Sequence, residues 1–423
     1  MTAWMTRREI TVSSKKGSAV VLSLALGVAL AGVVATAGTA RQAEAALVDK
    51  VVFTSNRTSG AGVNNPTGDY EIFRMNSDGT GTKQLTFNKG PDYEPELSPD
   101  NKKVVYTNRS AQPSNPQGDS EIYVMNTLDG TGKENLSNNG ADVHDYNPHF
   151  SPSGRKIVYT SYGIQPSNSE GDSEVYVVNA LDGTGKKNLT NNGVEASGAD
   201  PVDDYDPVFS PGGTKIAYHS VGNQPSNTEG DAEVYSMNTP DGKGKKNLTN
   251  TGLEVVDFSP EFSPDGARIV YTSFGKQTSN QEGDYEVYVM NASEGSVQTN
   301  LSDSGDGVYD HSPHFSPGGK RIVHASFGVQ PSNPEGDSEV CRMNASDGSD
   351  QTNLTDNGSE VDDFRPSFSP DGTRVFYESE GIQTSNAQGD REIYRLNTLD
   401  GKGKRNLTDN KAAYDGYYLP GQM

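Results

Sequence analysis

The stretch Phe368-Ser369-Pro370-Asp371-Gly372-Thr373-Arg374 decides the fold, because its pattern recurs along most of the chain. The Ser-Pro pair is repeated at steps of 53, 59, 53, 53 and 53 residues, at Ser98, Ser151, Ser210, Ser263, Ser316 and Ser369. A fixed long period is typical of a repeat architecture. Proline presets φ for a tight turn, and glycine takes the position that needs a positive φ. Since an apolar residue precedes each turn and an apolar triplet follows it, the pattern predicts a repeated β-hairpin.

Each repeat contains four short strand signals separated by turn residues. In the unit that begins at residue 157, strand B covers 157–161 and strand C covers 174–179. Strand D ends in Asn188-Leu189-Thr190, and strand A of the next unit covers 207–210. The β-branched and aromatic triplets, without any helical period, exclude a helical repeat. Four antiparallel strands in each unit are typical of a β-propeller blade.

The number of strands predicts how the ring closes. The B–C–D set occurs seven times, starting near Val52, Val105, Val158, Ala217, Val270, Val323 and Phe376, whereas strand A with its turn occurs six times. The tail 414–420 aligns with 146–152 and supplies the missing strand. An open ring would leave unpaired strand edges. We therefore predict an all-β, seven-bladed β-propeller of four-stranded antiparallel blades over residues 46–423. The C-terminal strand joins the N-terminal blade. Six blades with a loose N-terminal sheet is the alternative.

Residues 1–45 have the features of an export signal peptide. A basic region precedes an apolar stretch over residues 19–37, and Ala43-Glu44-Ala45 forms a cleavage site before Ala46. The pair Arg7-Arg8 suggests the twin-arginine route. The interpretation predicts an extracytoplasmic protein, periplasmic or secreted, with no membrane insertion after cleavage. An uncleaved anchor is the alternative, since the apolar stretch is long enough to span a bilayer if tilted.

The composition restricts the partners. The formal net charge is −22, which argues against nucleic acid and anionic membrane surfaces. Cys341 is the only cysteine, so an internal disulfide is excluded.

The repeated motifs P-x-F-S-P-D-G, I-V-Y-T-S, E-I-Y-x-M-N and D-G-x-G-x-x-N-L-T resemble the WD40-like repeat of the TolB-like β-propeller family. The resemblance covers residues 51–423. It implies the propeller of the Tol–Pal periplasmic component without the α/β domain that precedes it in that family. The chain also has Leu97, or Phe in the later units, where the family usually has Trp before Ser-Pro. The same repeat resembles the propellers of prolyl oligopeptidases and of some oligogalacturonate lyases, so the fold by itself does not choose the function.

The long B–C and D–A connections share one face of the predicted propeller, which we call the loop face. The short A–B and C–D turns share the opposite face, which we call the turn face. Because binding residues usually lie on elaborated loops, we assign binding to the loop face. Two rings of carboxylates are predicted there. The first, in Gly-Asp-x-Glu motifs, is Asp69, Asp119, Asp172, Asp231, Asp284, Asp337 and Asp390. The second, before strand A, is Asp92, Asp145, Asp204, Asp257, Asp310 and Asp363.

These carboxylates have two interpretations. Several hard oxygens close together suit Ca²⁺ or another divalent cation. The alternative is that each Asp accepts backbone N–H groups within its own loop, as a brace that every blade needs.

Residues that differ between repeats are the other candidates. The position after the strand A proline carries Glu96, His149, Glu261 and His314, with Val208 and Ser367 in the remaining units. Strand A is innermost, so two His and two Glu near the channel form a candidate transition-metal site. A water-filled channel with mixed polar walls is the alternative. The third unit also carries six extra residues within 194–204. They either mark a functional loop or form a tolerated insertion.

The sequence contains no nucleophile elbow, phosphate-binding glycine loop or paired cysteines. We therefore expect a monomeric, non-catalytic scaffold without a cofactor that binds a protein or cell-envelope ligand through the acidic loop face. The alternative is a metal-dependent polysaccharide lyase or hydrolase with its site at the channel mouth.

Overall fold

The computed structural model describes residues 50–192, 201–410 and 413–416. The expected signal peptide, residues 194–200 of the insertion, and residues 417–420 of the expected closing strand lie outside these ranges. Within the described ranges, no helix is long and apolar enough to cross a bilayer.

Seven four-stranded antiparallel sheets form the blades, as predicted. We number the blades in chain order by their strands B, so that the first blade contains β1 and the third contains β9. Strands A are β4 (Asp92–Leu97), β8 (His144–Phe150), β12 (Asp203–Phe209), β16 (Val256–Phe262), β20 (Tyr309–Phe315), β24 (Asp362–Phe368) and β28 (Asp415–Gly416). Strands B are β1 (Lys50–Ser55), β5 (Lys103–Asn108), β9 (Lys156–Tyr162), β13 (Lys215–Val221), β17 (Arg268–Phe274), β21 (Arg321–Phe327) and β25 (Arg374–Glu380). Strands C are β2 (Glu71–Asn76), β6 (Glu121–Asn126), β10 (Ser173–Asn179), β14 (Ala232–Asn238), β18 (Tyr285–Asn291), β22 (Ser338–Asn344) and β26 (Glu392–Asn397). Strands D are β3 (Lys83–Gln84), β7 (Glu134–Asn135), β11 (Lys187–Asn188), β15 (Lys246–Asn247), β19 (Thr299–Asn300), β23 (Thr352–Asn353) and β27 (Arg405–Asn406).

The apolar core lies between neighbouring blades. Strands B and C carry β-branched and aromatic residues, which favour a pleated, buried surface. Val158 and Val175 of the third blade pack with Ile216, Tyr218 and Tyr235 of the fourth blade in one buried cluster. Each blade therefore covers the apolar face of the next, and a blade at an open edge would leave such a face exposed.

The chain ends close the ring, as predicted. Strand β28 pairs antiparallel with β1, and Asp415 lies opposite Ser55. Arg57 and Asp415 form a buried ion pair in which Nη2 and Oδ2 are 2.6 Å apart. The predicted alignment of the tail is wrong by two residues. Asp145 lies opposite Ser161 in the third blade, so Asp415 is equivalent to Asp145 and not to Asn147. The sequence alignment matched Tyr414 with Tyr146, which gives the wrong register. In the structure, Asp415 occupies the position of Asp145.

Strands A are longer than predicted because each of β4, β8, β12, β16, β20 and β24 contains a bulge. The register shifts just before the strand A proline, for example between Tyr146 and His149. The residue before that proline has a positive φ of 48–60° and is Glu94, Asn147, Asp206, Ser259, Ser312 or Arg365. A bulge of this kind re-aims one side chain while the rest of the strand stays paired.

On the turn face, the glycine of the C–D turn touches the preceding blade. Gly295 has a φ of +66°, and a Cβ at this position would lie 1.9 Å from the backbone oxygen of Leu248 in the fourth blade. Only glycine fits such a close approach in the left-handed region. Gly242, in the Asp-Gly pair of the fourth blade, approaches Leu189 of the third blade in the same way, so the glycine of this turn signal reports contact between blades as well as a local turn.

Candidate functional site

The six aspartates expected on the exposed acidic face are buried instead. Asp92, Asp145, Asp204, Asp257, Asp310 and Asp363 are at most 1% exposed. Asp415 has the equivalent position in the closing strand, is equally buried, and is a seventh member that the sequence interpretation missed. Its signal in the sequence is an Asp five residues after Asn410, in a tail otherwise dominated by tyrosines. These carboxylates lie below the loops because each one completes a hydrogen-bonded contact between two blades.

The contact between the fourth and fifth blades shows the arrangement. Glu233 is the second residue of strand C in the fourth blade. Asp257, on strand A of the fifth blade, lies close enough for its charge to raise the pKa of Glu233. Thr249 donates its hydroxyl to Glu233 Oε2. The backbone N–H of Thr251 donates to Glu233 Oε1 at 2.8 Å, and the Thr251 hydroxyl donates to Asp257 Oδ2 at 3.0 Å. The segment after strand D therefore joins two carboxyl groups from neighbouring blades.

The same pairing occurs at all seven blade junctions. The pairs are Glu71 with Asp92, Glu121 with Asp145, Glu174 with Asp204, Glu233 with Asp257, Glu286 with Asp310, Glu339 with Asp363, and Glu392 with Asp415. Two carboxyl groups held together in a buried site favour one retained proton. The geometry supports a brace at each junction. This brace differs from the one that the sequence analysis gave as the alternative to cation binding, because the donors to these Asp residues are side chains and the contact joins two blades.

Burial raises the pKa of these glutamates. The pKa of Glu233 rises to about 8, first through burial and then through the charge of Asp257, and burial raises the pKa of Asp257 to about 6. Asp310 differs from the other aspartates. Burial acts to raise its pKa, but His324 lies 3.5 Å away and lowers it below the ordinary value. Two of the described junctions therefore place a basic side chain against the aspartate, His324 against Asp310 and Arg57 against Asp415.

The first carboxylate ring of the sequence analysis, in the Gly-Asp-x-Glu motifs, lies at the ends of the B–C loops. In five of its members, neither carboxylate oxygen makes a hydrogen bond of standard geometry to a described residue: Asp119, Asp172, Asp231, Asp284 and Asp337. The backbone N–H of each of these residues nevertheless acts on its own carboxylate and opposes the rise in pKa that burial causes. Burial raises the pKa of Asp172 to about 6. No group of three or more His, Cys, Asp or Glu side chains in the described ranges is placed to hold a metal ion. Binding of Ca²⁺ or another divalent cation at this ring stays a prediction.

The predicted channel ring forms two separate pairs. His149 Nδ1 lies 2.8 Å from Glu96 Oε2, and His314 Nδ1 lies 2.5 Å from Glu261 Oε2. Each glutamate also accepts the backbone N–H of the next blade's strand A, from Phe150 at 3.2 Å or from Phe315 at 3.0 Å. The structure thus joins each His to a Glu of the preceding blade, and each pair links two blades.

The sequence interpretation missed the residues at the strand A bulge. The bulge residue precedes the strand A proline, whereas the sequence analysis chose the residue that follows this proline. The bulge residue also differs between repeats, and the strand B residue that it contacts differs with it. Glu94 accepts the hydroxyl of Thr107 at 2.7 Å, and Arg365 Nη1 lies 3.4 Å from Glu378 Oε1. Residue variation at the third position of the D-[YFH]-x-P motif was the available signal.

Two of these bulge residues line a cavity of about 480 Å³ between the third and fourth blades. Asn147 Nδ2 donates to Asp206 Oδ1 across the blade junction. The cavity is also lined by Tyr146, Thr160, Tyr162, Ser173, Asp203, Tyr205 and His219. These residues come from strands A and B near their loop-face ends and from the start of a strand C. The cavity therefore lies near the face that the sequence assigns to binding.

The cavity wall is aromatic and acidic. Tyr205 stacks on His219 with ring centroids 5.3 Å apart, and Tyr162 is 48% exposed. Burial lowers the pKa of His219, so its ring is neutral near pH 7. Burial also raises the pKa of Tyr146 to about 12, which keeps its hydroxyl protonated. The two aspartates therefore give the cavity a negative charge that no cation of its lining balances.

Comparison with known proteins agrees with this architecture. The family model described as the TolB beta propeller domain matches residues 190–414, more than half of the chain. Among solved structures, TolB from Acinetobacter baumannii is 18% identical, with 86% of this chain and 80% of that chain covered and a TM-score of 0.45. An oligogalacturonate lyase in complex with manganese is 14% identical, with coverages of 82% and 85% and a TM-score of 0.55. The β-propeller domain of the Trilobed protease from Pyrococcus furiosus is 12% identical, with coverages of 88% and 96% and a TM-score of 0.54.

The last of these is described as having an open velcro topology, whereas β28 closes the ring in this chain. Identities this low indicate a shared fold and do not transfer an activity. The match to the family model shows more than the fold, because it follows the repeat through four complete blades of the described propeller. This chain belongs to the TolB beta-propeller family.

Proposed function

We propose that the protein is exported and acts as a non-catalytic scaffold that binds a protein or a cell-envelope component on its loop face. The observation that carries the proposal is a rigid loop framework that presents different side chains in different blades. Such a preorganised surface loses little conformational entropy when it binds.

The six B–C loops of blades two to seven share a framework of internal hydrogen bonds, although the sixth blade has Cys341 in place of the tyrosine that the loop serine contacts in the other five. In the third blade, Gln165 and Asn168 exchange backbone hydrogen bonds at 2.9 Å. Ser167 contacts the hydroxyl of Tyr176 at 2.8 Å, and Asn168 Nδ2 donates to the backbone oxygen of Asp172 at 2.7 Å. Equivalent Gln–Asn bridges occur at 112 and 115, 224 and 227, 277 and 280, 330 and 333, and 383 and 386. The loops are therefore fixed by internal bonds, and binding does not have to order them.

The presented residues differ from blade to blade. The residue that follows the glycine at the start of the B–C loop is aliphatic in three blades, where Ile164, Val329 and Ile382 are 73%, 71% and 75% exposed. The equivalent residues of two other blades are Asn223 and Lys276. Exposed aliphatic side chains on fixed loops offer apolar area that a partner can bury.

Affinity capture from the native envelope fraction tests the proposal. The loop-face variant carries Ile164→Asp, Val329→Asp and Ile382→Asp. The matched control carries Leu128→Asp, Leu181→Asp and Leu399→Asp, three C–D turn residues of the turn face that are 62%, 76% and 78% exposed. We expect the wild type and the control to retain a stoichiometric partner and the loop-face variant to lose it. Equal loss in both variants, or no partner for the wild type, contradicts the proposal.

Two parts of the proposal have their own measurements. Sequencing the N-terminus of the exported protein tests cleavage before Ala46. Metal analysis of the purified wild type and of His149→Ala and His314→Ala separates the scaffold from a metal-dependent enzyme, because a transition metal held by these histidines is lost from the variants. Calorimetric titration of Ca²⁺ into the wild type and into Asp231→Asn tests the carboxylate ring of the B–C loops.

A further inference from the structure

The cavity between the third and fourth blades presents hydrogen-bond acceptors that nothing else in the described ranges uses. Asn147 Oδ1 and Thr160 Oγ1 have no hydrogen-bond partner among the described residues. Asn147 is 9% exposed and Thr160 is 1% exposed. Leaving a buried polar atom unpaired is unfavourable, because the atom has lost its hydrogen bonds to water and gained none in return. A ligand with several N–H donors would satisfy both of these atoms.

The charge of the cavity selects the same kind of ligand. Asp206 is 7% exposed, and its Oδ2 lies 3.5 Å from the Nδ1 atom of the neutral His219. Asp203 accepts the backbone N–H of Ser173 at 2.7 Å. Arg109 is near enough to Tyr146 to lower its pKa, but it does not line the cavity. Two carboxylates without a cation in the lining favour a positively charged group.

The aromatic wall completes the match. Tyr146, Tyr162 and Tyr205 come from strands A and B of two blades and line one cavity. The faces of aromatic rings attract ammonium and guanidinium groups, more strongly where water is excluded. The volume of about 480 Å³ exceeds what one basic side chain needs and leaves room for its backbone.

The asymmetry of the ring places this chemistry at one junction. The bulge residue is Glu94 in the second blade, Ser259 in the fifth, Ser312 in the sixth and Arg365 in the seventh. Glu94 is also acidic, but it accepts the Thr107 hydroxyl and the backbone N–H of Asn147. Within the described ranges, a carboxylate and a side-chain amide therefore meet at the bulge only between the third and fourth blades, and the repeat itself does not require this contact.

We propose that this cavity binds a lysine or arginine side chain of a partner polypeptide. The proposal rests on the proposed function, since it names the chemistry that the loop face recognises. The charged end contacts Asp206 and the Oδ1 atom of Asn147, and the alkyl stem lies against the tyrosine rings.

Titration calorimetry with short peptides tests the proposal. The probes are Ac-Ala-Lys-Ala-NH₂, Ac-Ala-Arg-Ala-NH₂, the same lysine peptide with its side chain acetylated, spermidine and cellobiose. We expect the basic peptides to bind and the acetylated peptide to bind at least tenfold more weakly. Binding of spermidine alone would assign the cavity to a free polyamine, and binding of cellobiose with equal affinity for both lysine peptides would assign it to a neutral sugar. Both results overturn the proposal, as does the absence of any binding.

Two variants locate the binding site. Asp206→Asn removes a charge at nearly constant shape, and Tyr162→Ala removes an exposed ring that the fold does not need. Each is expected to weaken binding of the basic peptides at least tenfold, whereas Asp306→Asn, in an exposed D–A loop, is expected to leave it unchanged. Unchanged affinity in Tyr162→Ala contradicts the proposal even if Asp206→Asn proves unstable.

Capture from the envelope fraction separates this proposal from the broader one. If Tyr162→Ala retains the partner and the triple loop-face variant loses it, the proposed scaffold function is supported and the proposed role of the cavity is contradicted. Loss of the partner in both variants, together with weaker binding of the basic peptides, supports both proposals.

Discussion

Replacing Glu233 by Gln is expected to make the stability of the protein less dependent on pH. The pKa of Glu233 is about 8 in the folded protein, raised by burial and by Asp257, against about 4.3 in an unfolded chain. Between these values the folded protein holds a proton that the unfolded chain releases. The stabilisation due to this proton is complete below about pH 4 and is lost as the pH rises through about 8. The wild type should therefore become less stable as the pH rises from 5.5 to 7.5.

The size of the effect follows from proton linkage. One proton held only by the folded state changes the free energy of unfolding by about 1.4 kcal/mol for each pH unit. Over two pH units, Glu233 contributes at most about 3 kcal/mol. This is an upper limit because water and hydrogen bonds reach a buried carboxylate when it ionises. Glutamine is neutral at both pH values and keeps the acceptor for the backbone N–H of Thr251.

Urea unfolding at constant ionic strength, followed by far-UV circular dichroism at pH 5.5, 6.5 and 7.5, measures the difference. The wild type should lose more stability than Glu233→Gln across this range, by between about 1 and 3 kcal/mol. Glu229→Gln, on an exposed loop residue of the same blade, is expected to follow the wild type. Parallel curves for the wild type and Glu233→Gln would show that the pair is ionised in the folded protein, and the account of the buried carboxyl pairs would be wrong.

Two further predictions concern contacts between blades. Replacing Arg57 by Met leaves Asp415 buried without its cation, so the free energy of unfolding should fall by about 3–5 kcal/mol. Arg321→Met is the control, because it removes a more exposed ion pair with the same 2.6 Å separation and should lower the free energy of unfolding by about 1 kcal/mol or less. Equal shifts of the urea midpoint in the two variants would refute the inference that the buried pair of Arg57 and Asp415 stabilises the closed ring. Gly295→Ala places a Cβ 1.9 Å from a backbone oxygen of the preceding blade and should lower the melting temperature by several degrees. Gly252→Ala, with no atom within 4 Å of its new Cβ, is the control, and a melting temperature of Gly295→Ala as high as that of the control would contradict the close approach.

The sequence by itself determined the architecture. The 53-residue period, the Ser-Pro turns and the apolar triplets predict strands and turns from residues that are neighbours in the chain. The strand count then predicts seven blades and closure by the tail. These features could be predicted because turn chemistry and strand alternation are local, and because a ring with an unpaired edge is unfavourable.

Only the tertiary structure decided what the acidic and variable residues do. Asp257 belongs to an acidic segment of the sequence, yet it is buried because Glu233 of another blade and the Thr251 hydroxyl meet it there. His149 and His314 could have shared one site, but each pairs with a Glu 53 residues away in the preceding blade. Asn147 and Asp206 meet across 59 residues. A residue's neighbours in the chain fix its strand, but which blade edge it faces depends on packing between repeats, and that packing determines burial, charge state and the position of a binding cavity.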